Sequence, residues 1–410
     1  MDRNPNYILS SSILFLSLFS LSLYPTMALK AVHVSDVPNL DHVPENASFS
    51  LYSSRFSKGV DIGRTTSFKE PKFLVIGHRG NGMNMLQSTD LRMKAVKENT
   101  ILSFNTAGKY PIDFIEFDVQ VTTDGCPIIF HDNFIYSQDN QGTIYEKRVT
   151  DLSLSEFLSY GPQREAASEG KTLLRKTKDG KIINWAVESD EPPCTLEEAF
   201  EKVIPPLGFN IELKFDDHIV YQQEYLSHVL QSILQVVVDH AKERPVIFST
   251  FQPDAALLVK KLQATYPVFF LTNGGNEIFY DVRRNSLEEA IKLCLEGGLQ
   301  GIVSEVRGVF RNPGAVNKIK ESKLSLMTYG KLNNVAEAVY MQHLMGIEGV
   351  IVDLVKEITE AVSKMMTKPS EEGDILMQGG GEEQGEGSRP KFSQKELAFL
   401  LKLIPELIQQ

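Results

Sequence analysis

Strand-like and helix-like stretches alternate from residue 73 to residue 366, and this alternation constrains the fold more than any other feature of the chain. The strand-like stretches are rich in apolar, β-branched and aromatic residues, and they cover residues 73–77, 114–121, 208–215, 246–251, 268–273, 301–306, 324–330 and 349–353. The helix-like stretches cover residues 99–109, 196–203, 225–241, 254–265, 286–296, 313–322, 334–345 and 355–366. Eight strands in simple alternation with helices favour a closed barrel over a doubly wound open sheet. We therefore predict an α/β fold, a (β/α)8 TIM barrel over residues 71–366.

Residues 136–193 interrupt this alternation, because they separate the second predicted strand from the helix that follows it. The stretch contains one predicted helix at residues 153–158, a charged segment rich in Gly and Lys, and the only tryptophan of the chain, Trp185. We predict that it forms an insertion after strand 2, either a long loop or a small subdomain.

The composition changes abruptly after residue 366. Residues 367–392 are rich in Gly and Glu, and this bias predicts a disordered acidic linker. Ser393 and Glu396 have the spacing of a capping box, which predicts an amphipathic helix within residues 393–410. We expect that helix to dock on the barrel or on a partner.

An apolar, serine-rich segment at residues 8–24 lies within the first 70 residues, which we assign to targeting and an N-terminal extension. The core of the segment has the length of a signal-peptide hydrophobic region and is short for a membrane span. Its serine content also suits a plastid transit peptide, whereas its scarcity of arginine does not. The residues alone leave plastid import, secretion and membrane association open.

The composition excludes two classes of protein. The net charge is −11, and no basic cluster is interleaved with aromatic residues, so we expect no nucleic-acid partner. The three cysteines, Cys126, Cys194 and Cys294, lack metal-ligand spacing, and their odd number argues against a disulfide scaffold.

Residues 114–132 carry polar side chains where a barrel strand is expected to be apolar. Glu116 and Asp118 alternate with apolar residues, so both carboxylates project from one face of the strand, about 7 Å apart along the chain. Asp124-Gly125 predicts a short hairpin turn, after which a second short strand returns the chain to His131. On this stretch alone, a hairpin with a solvated polar face is the structural alternative.

The third and the first predicted strands repeat the signal. Glu212 and Lys214 alternate with apolar residues in the third strand, and the first strand ends at His78 and Arg79. Because the carboxyl ends of the strands form the active-site face of an eight-stranded barrel, we expect these side chains to meet there. Charged groups inside barrel strands cost several kcal/mol unless they are paired or bind a cation. The repetition therefore favours a functional site.

The carboxylates of three of these residues indicate a metal site. Glu116, Asp118 and Glu212 offer hard oxygen ligands, which suit Mg²⁺ or Ca²⁺ and are poor for zinc. A cation held by three carboxylates keeps positions open for water and substrate oxygens. We therefore predict a divalent metal cofactor, Mg²⁺ or Ca²⁺.

The remaining residue types predict phosphoryl chemistry on an anionic phosphodiester. Arg79 and Lys214 supply positive charge for a phosphate, although Lys214 could instead form a structural ion pair with Glu212. His78 and His131 could serve as general base and general acid in either order. The structural alternative for a histidine at a strand end is a hydrogen-bonded core residue.

The same residues belong to a long and ordered set of motifs. The set consists of Gly77-His78-Arg79-Gly80, Glu98-Asn99-Thr100, Glu116-Phe117-Asp118-Val119 with Thr123-Asp124-Gly125, His131-Asp132, Thr195-Leu196-Glu197-Glu198, Glu212-Leu213-Lys214 and Gly349-Val350-Ile351-Val352-Asp353. It resembles the glycerophosphodiester phosphodiesterase family from residue 73 to about residue 365, and it looks most like the plant, plastid-type members. The stretch Met327-Thr328-Tyr329-Gly330 lacks the tryptophan that the family has near this position, a departure that concerns the glycerol or leaving-group pocket.

The resemblance implies a metal-dependent hydrolysis of glycerophosphodiesters, such as glycerophosphocholine, to sn-glycerol 3-phosphate and an alcohol. It implies that His78 and His131 form the acid/base pair and that Arg79 and Lys214 bind the phosphate. It assigns the metal to the three carboxylates named above, and it favours a plastid location.

Two other functions are compatible with the same residues. One is a lysophospholipase D or phospholipase-type phosphodiesterase acting on membrane lipid, with membrane contact through the apolar N-terminal segment or the C-terminal helix. The other is a non-catalytic barrel that binds phosphorylated ligands. Neither the residues nor the resemblance indicates an oligomeric state.

Overall fold

The computed structural model of the chain describes residues 72–165 and 169–366. Three predicted segments lie outside the described residues: the targeting segment at residues 1–70, the linker at residues 367–392 and the helix at residues 393–410. The strands of the described part are β1 (Leu74–Gly77), β2 (Phe114–Val121), β3 (Pro127–Ile129), β4 (Phe134–Gln138), β5 (Ile144–Arg148), β6 (Leu174–Lys176), β7 (Ile182–Asn184), β8 (Gly208–Leu213), β9 (Val246–Thr250), β10 (Val268–Thr272), β11 (Gly301–Glu305), β12 (Ser325–Tyr329) and β13 (Gly349–Val352). Its α-helices are α1 (Ile101–Ala107), α2 (Leu154–Leu158), α3 (Leu196–Lys202), α4 (Gln223–His240), α5 (Pro253–Leu262), α6 (Leu287–Gly297), α7 (Val306–Arg311), α8 (Gly314–Glu321), α9 (Ala336–Met345) and α10 (Val355–Met366).

Eight parallel strands close into a barrel in the order β1-β2-β8-β9-β10-β11-β12-β13, and β13 pairs with β1. Helices follow the strands, as the alternation of the sequence predicts. The predicted (β/α)8 barrel is therefore confirmed, and the open doubly wound sheet is excluded by the closing pair of β13 and β1.

Two apolar layers hold the barrel, and the period of two along each strand assigns its residues to one layer or the other. On β2, Phe114 belongs to the cluster in which residues of seven different barrel strands pack together, whereas Ile115 and Phe117 pack in the larger cluster that includes the surrounding helices. Glu116 and Asp118 share the face of Phe114. The two carboxylates therefore follow an apolar residue toward the mouth of the barrel.

The insertion has more regular structure than the sequence predicts. Its strands form an antiparallel sheet in the order β5-β4-β6-β7, and the sheet starts at Phe134, two residues before the predicted boundary. The predicted helix is present as α2, with Ser153 and Glu156 forming a capping box. Strands of three to five residues are too short for an alternation of apolar and polar residues to predict them. An apolar cluster that includes Phe130 and Trp185 packs the insertion against the segment after β3.

Several predicted bounds differ from the structure. Helix α1 begins two residues later than predicted, because the Thr100 side chain caps it by accepting from the Ser103 amide. Strand β8 ends before Lys214, so this lysine lies just beyond the strand. Helix α7 was not predicted and follows β11 directly. Within residues 72–165 and 169–366, every helix is too short or too polar to cross a membrane.

Candidate active site

All seven predicted site residues lie at one side of the barrel mouth. Six of them lie within or directly after β1, β2 and β8, and the seventh follows β3, the antiparallel neighbour of β2. The seven residues are His78, Arg79, Glu116, Asp118, His131, Glu212 and Lys214.

A tight turn after β1 aims two of these residues at the carboxylates. Arg79 has a φ of 50° and Gly80 a φ of 90°. A Cβ on Gly80 would lie 2.5 Å from Ser103 Oγ, so the turn requires glycine at this position. The turn also lets the Arg79 amide donate to Glu116 Oε2 at 2.8 Å. The backbone itself therefore fixes one oxygen of Glu116.

His78 is oriented by a carboxylate that directly follows the neighbouring strand, β13. Its Nδ1 lies 2.7 Å from Asp353 Oδ1, and its Nε2 lies 3.9 Å from Glu116 Oε2. Asp353 is itself held, because it accepts from the Met83 amide at 3.0 Å and from Asn334 Nδ2 at 2.9 Å. Burial alone would lower the pKa of His78, but Asp353 outweighs it and raises this pKa above its ordinary value. The imidazole therefore presents Nε2 to the carboxylate cluster.

The three carboxylates form one buried cluster. Asp118 on β2 pairs in register with Glu212 on β8, and Glu116 lies two residues before Asp118 on the same face. One oxygen from each residue lies within 4.8 Å of the other two. Glu116 Oε1 and Asp118 Oδ1 are buried and have no hydrogen-bond partner in the described part of the chain. Because unpaired buried oxygens are costly and hard cations prefer such ligands, this donor set fits a divalent metal ion.

Burying three carboxyl groups close together disfavours their ionised forms, and the pKa values of two of them are raised. Burial, and after it the charge of Asp118, raises the pKa of Glu116 to about 8. Burial also raises the pKa of Glu212, against the opposing charge of Lys214. Burial would raise the pKa of Asp118 as well, but the His131 imidazole and the charges of Arg79 and Lys214 outweigh it and lower this pKa to about 2. A bound cation would favour the ionised form of all three carboxyl groups.

Two cations border the cluster. Lys214 Nζ lies 2.8 Å from Glu212 Oε1 and 3.7 Å from Asp118 Oδ1. Arg79 Nε lies 3.4 Å from Asp118 Oδ2, and Arg79 Nη1 donates to Glu98 at 2.7 Å. The ion pair of Lys214 with Glu212 that the sequence left open is therefore present. Both cations stay charged, because neighbouring carboxylates raise the pKa of Lys214 and of Arg79 despite their burial.

His131 reaches the site through the hairpin of β2 and β3. The Gly125 amide donates to the Thr122 carbonyl at 2.9 Å, and Gly125 has a φ of 79°. The hairpin is therefore a three-residue turn that ends in a left-handed glycine, which agrees with the short turn predicted at Asp124-Gly125. The Phe130 amide then donates to the Asp118 carbonyl at 3.0 Å, which holds the next residue, His131, beside the cluster.

The surroundings of His131 differ from those of His78. Its Nδ1 lies 2.7 Å from Asp132 Oδ1, and its side chain is 32% exposed. Burial and the charges of Arg79 and Lys214 lower the pKa of His131 well below its ordinary value. Both histidines therefore have Nδ1 engaged by a carboxylate, which leaves Nε2 of each for other partners.

No role was predicted for the carboxylates that orient these side chains. Glu98 and Asp132 occur in the quoted motifs, but only the structure shows Glu98 bound to Arg79 and Asp132 bound to His131. Arg175, in the insertion, binds both of these carboxylates and belongs to no motif. Its only sequence signal is its place in a charged segment.

Comparison with known proteins identifies the family. The model of the glycerophosphoryl diester phosphodiesterase family matches residues 78–357. The chain belongs to the glycerophosphoryl diester phosphodiesterase family. The family prediction from the motifs is confirmed, and the matched residues span the barrel from His78 into α10.

Relatives agree with this membership, and a solved structure agrees with the fold. The glycerophosphodiester phosphodiesterase GDPD1, chloroplastic, of Arabidopsis thaliana is 66% identical over 384 residues, which are 93% of this chain and all of that protein. Glycerophosphodiester phosphodiesterase GDPD3 of the same plant is 54% identical, over 89% of this chain and 99% of that protein. A phosphodiesterase of Oleispira antarctica, solved with the product sn-glycerol-3-phosphate, shares the fold with a TM-score of 0.50 and 19% identity, over 71% of this chain and 96% of that one.

Proposed function

We propose that this protein hydrolyses glycerophosphodiesters, such as glycerophosphocholine and glycerophosphoethanolamine, to sn-glycerol 3-phosphate and an alcohol. The family match supports this reaction, as do the names of relatives that are 54% and 66% identical over most of the chain. The reaction would serve phospholipid breakdown and the recycling of phosphate. One observation carries the proposal within the structure: three clustered carboxylates, two of which have a buried unpaired oxygen, lie beside two histidines, each oriented by a carboxylate of its own.

A divalent metal ion, Mg²⁺ or Ca²⁺, would be held by Glu116, Asp118 and Glu212. When bound, such an ion supplies Lewis-acid stabilisation of the negative charge on the phosphodiester oxygens. Arg79 and Lys214 supply further positive charge from the protein, because both lie within 4 Å of Asp118. We assign the binding and orientation of the phosphate group to these two residues.

Hydrolysis needs one group that accepts a proton from the attacking oxygen and one that donates a proton to the leaving alkoxide. We assign these roles to His78 and His131, whose Nε2 atoms remain available. The attacking oxygen belongs either to water or to the neighbouring glycerol hydroxyl, which would form a cyclic phosphate first. Phosphorus NMR of a single turnover separates the two routes, because only the second produces a cyclic phosphate signal.

A second candidate activity, on lysophospholipid in a micelle or membrane, is favoured by the loops around the mouth. The loop after β10 exposes Ile278 and Tyr280 by 81% and 103%, and the loop after β8 exposes Val220 by 87%. Loops that follow barrel strands lie on the active-site face, where apolar side chains can contact a lipid surface. Turnover of micellar lysophosphatidylcholine without turnover of water-soluble glycerophosphocholine would establish this activity in place of the first.

We propose a plastid location, because the relative from Arabidopsis thaliana that is 66% identical is named chloroplastic. A fusion of residues 1–70 to a fluorescent protein tests it in plant cells. Fluorescence inside plastids is expected, whereas fluorescence in the secretory pathway would support the alternative suggested by the apolar segment.

The proposed reaction is tested with chelated enzyme. Treatment with EDTA should abolish release of choline from glycerophosphocholine, and Mg²⁺ or Ca²⁺, added back singly, should restore it. The ion that restores the higher rate identifies the metal. Full activity in the presence of excess EDTA would contradict the metal assignment, and no turnover with any metal would contradict the reaction.

A further inference from the structure

Arg175 reaches the active site from outside the barrel. It lies on β6, in the sheet of the insertion, and its side chain is 11% exposed. Every nitrogen of its guanidinium group has a partner: Nη1 and Nη2 donate to the two oxygens of Glu98 at 3.0 Å, and Nε and Nη2 donate to those of Asp132 at 3.0 Å. Nη1 also donates to the Asn84 carbonyl at 3.3 Å. One side chain of the insertion therefore engages two carboxylates of the barrel in fork-like geometry.

Each of these carboxylates contacts one residue of the proposed catalytic machinery. Glu98 accepts from Arg79 Nη1 at 2.7 Å, and Asp132 Oδ1 lies 2.7 Å from His131 Nδ1. One carboxylate therefore links Arg175 to the proposed phosphate-binding arginine, and another links it to one of the two proposed proton carriers. Because all its donors are already engaged, Arg175 has none left for a substrate oxygen.

The aromatic ring on which the Arg175 guanidinium packs, that of Trp185, belongs to the insertion as well. The Arg175 guanidinium lies 4.1 Å from the ring centroid of Trp185, and Lys97 Nζ lies 3.9 Å from the same ring. Trp185 is 4% exposed, and its indole N–H donates to Asn84 Oδ1 at 3.0 Å. A buried indole with a satisfied N–H is a rigid support for a cation. The position of Arg175 is therefore set by packing in addition to its hydrogen bonds.

We propose that Arg175 is a positioning residue for the phosphodiesterase reaction, and that the insertion clamps the active site through it. By holding Glu98 and Asp132 at once, Arg175 fixes the distance between Arg79 and His131, which act on the same phosphate group. This inference rests on the proposed function, since it concerns the rate of that reaction. It assigns the insertion a part in catalysis that its sequence does not indicate.

The test compares three variants on glycerophosphocholine with the metal that restores activity. R175M removes the fork, R175K keeps the charge without the fork, and R164M is the matched control. Arg164 also reaches from the insertion to a barrel carboxylate, Glu198, but its side chain is 48% exposed and it contacts neither Glu98 nor Asp132. We expect kcat/KM to fall about 100-fold in R175M and at least about 10-fold in R175K, and to stay within about threefold of wild type in R164M.

Two readouts separate positioning from a loss of structure. Trp185, the only tryptophan, reports on the packing under Arg175, so its emission maximum should stay that of a buried indole in R175K. The loss should appear mainly in kcat, because proton transfer occurs only in the transition state. In an R175A variant, free guanidinium ion should restore activity in a saturable manner, and it should have no such effect on R164M.

The outcomes distinguish this inference from the proposed function. Wild-type rates in both R175M and R175K would overturn the positioning role while leaving the reaction intact. The positioning role would also be overturned if the Trp185 emission of R175K shifts to the red and the reduced fraction of active protein accounts for the whole fall in kcat/KM. A wild-type enzyme that turns over no glycerophosphodiester with any metal would instead overturn the proposed function, and the positioning role with it.

Discussion

The two sides of the barrel mouth carry buried polar residues of similar kinds, but they differ in whether these residues have hydrogen-bond partners. On the side formed by β1, β2 and β8, which we call the acidic side, four buried polar atoms lack hydrogen-bond partners in the described part of the chain. These atoms are Arg79 Nε, Glu116 Oε1, Asp118 Oδ1 and Asn210 Nδ2. The opposite side, formed by β11 and β12 and called the far side here, also has a buried carboxylate and a row of polar side chains.

On the far side, the polar groups satisfy one another. Glu305 at the end of β11 accepts from Asn276 Nδ2 at 2.5 Å and from the Arg307 amide at 2.9 Å. On β12, the Thr328 hydroxyl donates to Gln342 and accepts from Asn333 Nδ2 at 3.1 Å. Asn333 Nδ2 also donates to two main-chain carbonyls, at 2.9 and 3.0 Å. These groups therefore stabilise the fold without needing a ligand.

The difference teaches how to separate structural from functional polarity in a barrel. A buried polar group with partners contributes to stability, whereas one without partners costs free energy that a bound water, ion or ligand can return. We therefore expect substitutions in the proposed metal-binding and catalytic set of the acidic side to change catalysis or metal binding. We expect substitutions of residues whose polar groups are satisfied, on either side, to change stability. The four predictions below test that division, and they run from the largest effect to the smallest.

Replacing His78 should have the largest effect. H78A removes one of the two proposed proton carriers, and we expect kcat on glycerophosphocholine to fall about 10³-fold, as for loss of a general acid or base. The fold should persist, because the side chain is 21% exposed and lies at the mouth. Steady-state kinetics and a thermal melt measure the two properties. Wild-type turnover in H78A would remove this residue from the mechanism.

Replacing Glu98 should reduce stability on the acidic side by about 3 kcal/mol at pH 7. Burial would raise the pKa of Glu98, but Arg175 and Arg79 outweigh it and lower this pKa from its ordinary value of 4.5 to about 2, a difference that corresponds to about 3 kcal/mol. Because the pKa is lower in the folded state, this stability is present above pH 4.5 and is lost as the pH falls toward 2.

The free energies of unfolding of wild type and E98Q should therefore converge on acidification. Denaturant titrations at pH 7, 5 and 4 measure the difference, to which the other carboxyl groups contribute equally in both proteins. A difference that is the same at pH 7 and pH 4, or that grows, would contradict the assignment of Glu98 as a buried charged partner of the two arginines.

Replacing Glu212 should weaken metal binding by about tenfold or more, which is about 1.4 kcal/mol. E212Q removes one of three carboxylate charges and keeps the shape of the side chain. Calorimetric titration of the chelated protein with Mg²⁺ and with Ca²⁺ measures the affinity without reference to turnover. E305Q is the matched far-side control, and its metal affinity should equal that of wild type. Equal affinities in all three proteins would exclude Glu212 as a ligand.

The sequence predicts the acidic side well, because its signal lies within single strands. Glu116 and Asp118 alternate with apolar residues over eight consecutive strand residues, and Glu212 repeats the pattern on the adjacent strand. The period of two and the rule that strands end at the mouth were sufficient to bring these residues together.

The insertion could not be predicted in the same way, because its information lies in contacts between distant segments. Arg175 contacts Glu98 across 77 positions of the chain and Asp132 across 43. Its strand, β6, has only three residues, so no periodic pattern marks it. Pairings of this kind arise from packing around Trp185, which the sequence shows only as an isolated aromatic residue.

The smallest effect should come from Thr328, and it tests the far side of the comparison. T328V replaces a hydroxyl by a methyl group of similar size, so it keeps the volume of the side chain and removes its hydrogen bonds with Gln342 and Asn333. We expect the free energy of unfolding to fall by about 1 kcal/mol and kcat/KM to stay within about twofold of wild type. Denaturant titration and steady-state kinetics on the same preparation measure both. If T328V lowers kcat/KM tenfold without a loss of stability, satisfied polar groups at this mouth also take part in catalysis, and hydrogen-bond satisfaction would no longer separate the two sides.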